Sequence, residues 1–92
     1  MMKSTYKLSS RVRLDEDDDG VSGVLFDTHT AAISTCNETA LVILKSLKKG
    51  SDVDSLARLV AKTFEVNEKD AKLDIVSLLR DLTTLEFVCE RE

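Results

Sequence analysis

The chain has 92 residues, 42% of them apolar and 33% charged, with no proline and three glycines. One domain fits this length, with a radius of gyration of roughly 12 Å. Collagen-like, proline-rich and glycine-linker architectures are excluded. The formal net charge is −4, a poor basis for affinity built on phosphate contacts. With three Phe, one Tyr and no Trp, an aromatic platform for stacking single-stranded bases is not available.

Residues 1–10 are polar and read as a flexible N-terminal segment, frayed or extended. Arg11–Leu14 alternates polar and apolar, the pattern of a short strand. Asp15, Glu16, Asp17, Asp18 and Asp19 then run consecutively into Gly20, which marks a turn. An EF-hand loop needs acids at alternate positions and a closing Glu at position twelve. Here that position is Phe26, so the run reads as a solvated hairpin turn. Val21–Phe26 is the best strand pattern in the chain. Asp27-Thr28-His29-Thr30 is turn chemistry, and Ala31–Cys36 is a third short strand.

The period then changes. Asn37 is a good N-cap with Glu38 in the first turn. Ala40, Leu41, Ile43, Leu44 and Leu47 define a buried helix that Gly50 ends. Ser51 with Asp54 resembles a capping box. Val53, Leu56, Ala57, Val60 and Phe64 form the stripe of a second helix. Asn67 caps a third helix that runs to about Thr84. At 100° per residue, Ala71, Ile75, Leu78, Leu79, Leu82 and Leu85 share an arc of about 120° on it. Lys72, Val76 and Thr83 lie on one flank of that arc. Phe87-Val88-Cys89 closes the domain as an extended tail. Strands followed by helices predict an α+β domain with the helices packed on one side of an antiparallel sheet.

Chemistry-bearing residues are sparse. His29 is the only histidine and has no nucleophile–base constellation beside it. Cys36 and Cys89 have no CxxC spacing and read as packed small hydrophobes, which predicts neither zinc nor a disulfide. This suits a reducing cytoplasm. No run approaches the ~18 apolar residues of a membrane span, and residues 1–10 lack a signal-peptide core. No catalysis, metal or cofactor is expected.

Several segments in order carry a family likeness. They are Val24-Leu25-Phe26-Asp27-Thr28-His29-Thr30, Cys36-Asn37-Glu38-Thr39-Ala40, Ile43-Leu44-Lys45-Ser46-Leu47 and Val53–Val60 followed by Phe64-Glu65-Val66. Ala71-x-x-Asp74-Ile75-x-x-Leu78-Leu79-x-x-Leu82 and Phe87-Val88 complete the series. Together, over about residues 8–89, they resemble the protein D family of pyrroloquinoline quinone biosynthesis. Two positions depart from its pattern: Cys36 stands for the usual Leu and Glu86 for the usual Gly.

The resemblance implies a winged helix-turn-helix-like fold, a three-stranded antiparallel sheet followed by three helices, over residues 11–92. It implies a non-catalytic recognition element for ribosomally synthesised, modified peptides. Such an element binds the leader segment of a precursor and presents it to a modifying enzyme, a radical-SAM enzyme or a leader peptidase, as monomer or homodimer. Binding would be by strand addition. Ala32, Ile33, Ser34 and Thr35 would pair with the leader, and Lys72, Ile75, Val76, Leu79 and Thr83 would line the groove. Lys72 would meet a leader acid. The alternative is a winged-helix DNA-binding regulator, with the acidic hairpin as its wing. Acids at a wing tip repel phosphate, so no nucleic acid or membrane partner is expected.

Overall fold

The computed structural model describes residues 4–91. Strands β1 (Thr5–Leu8), β2 (Val12–Glu16), β3 (Gly23–Asp27) and β4 (Ile33–Cys36) precede helix α1 (Glu38–Leu47). A two-residue β5 (Ser51–Asp52), helices α2 (Val53–Phe64) and α3 (Glu68–Thr84), and β6 (Val88–Arg91) follow. The strands form two antiparallel three-stranded sheets, ordered β5-β1-β6 and β2-β3-β4.

The second sheet is the expected meander. Its β2–β3 hairpin carries the acidic turn, where Asp19 Oδ1 accepts the N–H groups of Val21 and Ser22 at 2.9 and 3.2 Å. Those donors, Val21 first, hold the Asp19 carboxyl below its ordinary value against a smaller opposing effect of burial. Lys45 of α1 meets Glu16 at 3.1 Å, which ties the wing to the first helix.

The first sheet departs from the expectation for the N-terminus. Thr5–Leu8 is a paired strand rather than a flexible tail, and Tyr6 lies opposite both Ser51 and Glu90. Its partner strand β6 is the extended C-terminal tail. Met1–Lys3, the first residues of that expected flexible segment, lie outside the described residues. Pairing with β1 also explains why α2 starts later than the capping box suggested. Ser51 and Asp52 are held extended, so Asp52 is the N-cap and its carboxylate accepts the Ser55 N–H at 2.7 Å.

Asn37 and Asn67 cap α1 and α3 as expected, accepting from Ala40 at 2.9 Å and from Lys69 and Asp70 at 2.8 and 3.3 Å. The core joins all three helices to both sheets. Leu25, Leu44, Leu47, Leu56, Ile75 and Leu79 are essentially inaccessible. Ala40, Val53, Phe64 and Leu78 are half-buried around this core, and two expected core residues are exposed. Leu85, at the end of α3, is exposed, and Cys89 sits on the outer face of β6 beside buried Val88.

The exit of α3 accommodates the Glu86 departure. Glu86 is left-handed, at φ 65°. Its N–H donates to Thr83 C=O, and Phe87 N–H donates to Leu82 C=O, both at 3.0 Å. This is a Schellman closure, whose left-handed position glycine fills at least cost. Glu86 is compensated by an ion pair with Arg11 at 2.9 Å. Glu86→Ala keeps the strain and loses the pair, while Glu86→Gly loses both. Urea denaturation should therefore find the glycine variant more stable than the alanine variant by about 1 kcal/mol.

Candidate functional site

The sheet order leaves β4 at an edge, and the backbone pattern shows what that edge offers. Asp27 N–H donates to Ala32 C=O at 2.9 Å. Opposed residues alternate between bonded and non-bonded pairs in an antiparallel ladder. The register Leu25↔Ser34 and Gly23↔Cys36 therefore turns Ser34 and Cys36 toward β3. The N–H and C=O groups of Ile33 and Thr35 face the free edge instead. Ile33 is 66% exposed. Of the four strand residues expected to pair with a peptide, Ile33 and Thr35 are thus placed to do so. Ala32 and Ser34 spend their backbone acceptors and donors on the hairpin.

A buried carboxylate holds this edge in place. Asp27 ends β3, and only 1% of it is exposed. Its Oδ1 accepts from the N–H groups of His29 and Thr30 at 2.8 and 3.2 Å. Its Oδ2 accepts from Arg11 Nε at 3.0 Å. Burial alone would raise the Asp27 pKa, but the two amides and the Arg11 charge outweigh it and hold the carboxyl below 3.8. His29 is therefore an exposed turn residue whose backbone, not its ring, is used. Cys36 closes β4 from inside. Burial pushes its thiol pKa up against a smaller opposing effect of the Leu25 backbone, so it is a packed thiol rather than a nucleophile.

An apolar cavity of about 550 Å³ opens beside Asn37, the residue after β4. Ala40 and Ile43 of α1, Val60 and Phe64 of α2, and Ile75 and Leu78 of α3 form its walls. Asp70 and Asp74 border it from α3. Asp70, Asp74 and Leu78 follow each other one turn apart on one flank of the helix.

The α3 residues expected in the groove divide. Ile75 contributes to the cavity wall and is 1% exposed. Leu79 is equally buried in the core, so its substitution would test folding rather than binding. Lys72, Val76 and Thr83 lie on the opposite flank, toward the first sheet. Val76 and Thr83 border a hollow shared with Tyr6 and Glu90. Lys72 pairs with Asp54 of α2 at 3.0 Å, within the chain itself. Asp70, Asp74, Phe64 and Leu78 line the cavity without having been among the expected site residues. The available signal was the second flank of the same helical wheel, where Asp70, Asp74 and Leu78 fall together.

The sequence matches the profile of coenzyme PQQ synthesis protein D over residues 22–88. The chain belongs to the protein D family. Among the curated proteins no sequence match was found. Three solved structures share the fold. TbiB1, in complex with the TbiA(beta) leader peptide, is 21% identical with a TM-score of 0.80, covering 89% of this chain and 93% of that one. A lasso peptide synthetase B1 complexed with the leader peptide is 25% identical with a TM-score of 0.77, covering 91% and 96%. The PqqD truncation of Methylobacterium extorquens PqqCD is described as a functional, stand-alone recognition element for ribosomally synthesised and modified peptides. It is 20% identical with a TM-score of 0.75, covering 92% and 88%. Among the described residues, no helix is long and apolar enough to cross a membrane. No cluster of three His, Cys, Asp or Glu among them could hold a metal ion.

The Asp27 geometry makes a prediction about acid stability. A carboxyl whose folded pKa is depressed stabilises the fold fully above its unfolded value, and that contribution is lost as the pH falls through the lower folded value. Asp27→Asn should therefore be less stable than the parent at pH 7. The gap should narrow as the pH is taken below about 4, measured as urea midpoints across a pH series.

Proposed function

We propose that this protein is a non-catalytic recognition element. It binds the leader segment of a ribosomally synthesised precursor peptide by strand addition to β4 and presents it to a modifying enzyme. The observation that carries this reading is the unpartnered β4 edge beside an apolar cavity. The edge supplies backbone donors and acceptors that any extended peptide can use. The cavity supplies selection among its side chains. Family membership supports the reading, as does the leader peptide bound by two chains of the same fold.

The peptide runs antiparallel or parallel to Ile33–Thr35, and one of its apolar side chains enters the cavity between α1, α2 and α3. Chemistry is left to the partner, a radical-SAM enzyme or a leader peptidase, in the cytoplasm. The stand-alone relative supports a role without catalysis. A DNA-binding winged helix would bring the wing acids and Asp70, Asp74 and Asp81 of α3 toward phosphate, which is unfavourable.

The test begins with a random 12-residue display library selected on the immobilised protein, from which extended peptides should be recovered with sub-millimolar affinity. Thr35→Pro deletes an N–H that points away from β3, so the fold should survive while peptide affinity falls about five- to tenfold. Ser34→Pro, whose N–H serves the β3 ladder, should instead destabilise the wing. Unchanged affinity in a folded Thr35→Pro variant would remove strand addition at this edge. Salt-dependent retention on duplex DNA would favour the regulator reading.

A further inference from the structure

Asp70 and Asp74 are the acids that line the apolar cavity beside β4. Asp19, Asp27, Asp52 and Asp54 all spend their carboxylates on donors within the protein. The carboxylates of Asp70 and Asp74 have no hydrogen bond or ion pair among the described residues. They sit one helical turn apart, where two like charges mildly destabilise a helix. Asp70, in the first turn, is favoured by the helix dipole, but that benefit fades beyond the turn and does not reach Asp74. The cations of α3 cannot offset the pair. Lys69, Lys72 and Arg80 border a separate hollow on the far flank, and Lys72 is already committed to Asp54. Both acids instead border the apolar cavity beside β4.

We infer that the peptide held in this cavity carries a lysine or arginine two residues from its apolar anchor, and that Asp70 and Asp74 are the specificity-determining residues that select it. The inference rests on the leader-binding reading above and names the chemistry of that leader. In an added strand, residues i and i+2 point to the same side. An anchor that fills the cavity therefore sends its second neighbour along the same wall. Lysine and arginine suit that wall twice over. Their aliphatic stems lie along Phe64 and Leu78, and their heads reach the carboxylates at the rim. An acidic peptide side chain there would meet two unneutralised charges, so the pair rejects as well as selects. On this inference the leader carries a cation facing Asp70 and Asp74, in place of the acid expected to meet Lys72.

The random 12-residue display library, selected in parallel on the parent and on an Asp70→Asn/Asp74→Asn double variant, tests this. Both acids are exposed, and circular dichroism melts would establish that the variant folds. On the parent, lysine and arginine should be enriched two positions from the apolar anchor, and on the double variant that enrichment should vanish. The best parent peptide should bind about fivefold more weakly to the double variant. Its Lys→Gln counterpart should lose a similar factor on the parent and little further on the variant. Enrichment of groove-binding peptides without a basic preference, or a preference that survives the double variant, would overturn the inference while leaving leader binding intact. Recovery of no peptide that competes for the β4 edge would overturn the leader-binding reading and this inference with it.

Discussion

The buried Asp27 carboxylate is the interaction on which the arrangement of the molecule depends. It closes the turn between β3 and β4 from inside, through the amides of His29 and Thr30. It also holds Arg11 through Nε, while Nη2 of the same guanidinium reaches Glu86. Arg11 lies between the last residue of β1 and the first of β2, and Glu86 lies at the exit of α3. One buried anion thus fixes where the edge strand begins, where the two sheets part and where the third helix ends. Removing Arg11 would leave the buried Asp27 carboxylate without its counter-charge, the costly way to break such a pair, whereas Arg11, 29% exposed, would keep Glu86 if Asp27 were lost. The left-handed Ala31 of the same turn, at φ 63°, is tolerated because the turn around it is overdetermined in this way.

Locally encoded features were legible in the sequence. The caps Asn37 and Asn67, the β2–β3–β4 meander and the apolar faces of α1 and α2 depend on residues within a few positions of each other. The sheet β5-β1-β6 was not legible, because Tyr6 finds Glu90 across almost the whole chain and four-residue strands carry little periodic signal. That missing sheet decided the site. The wheel of α3 has two flanks beside its buried arc, and periodicity treats them alike. Tyr6 of β1 and Glu90 of β6 border the flank of Val76 and Thr83, while Asp70, Asp74 and Leu78 border the cavity. The edge strand was legible, but which of its backbone groups are free was not, since that follows from the register with β3.

The net charge of −4 conceals two kinds of acid. Those of the wing are partly consumed in holding their own turn: Asp19 accepts two amides, and Asp17 accepts the Ser22 hydroxyl at 2.7 Å. Their role is satisfied without a partner. Asp70 and Asp74 have no such internal use, and the basic residues of the same helix are segregated to its other side. A helix with acids on one flank and cations on the other is poorly suited to lie along a phosphate backbone. It is well suited to separate what sits in the cavity from what approaches the opposite face.

On the leader-binding reading, the short edge also explains why a cavity is needed. An added strand gains from β4 only the outward groups of Ile33 and Thr35. Each hydrogen bond adds a net of roughly 1 kcal/mol once water is displaced. That is too little to order an extended peptide, but it is also too little to invite other strands, which protects an edge that must stay open. Most of the affinity must come from an apolar side chain leaving water for the cavity, worth about 1.5–3 kcal/mol for a large aliphatic residue. On the proposed reading, strand addition would set the peptide's direction and register, the cavity would set whether it stays, and the charges at its rim would set which peptide does.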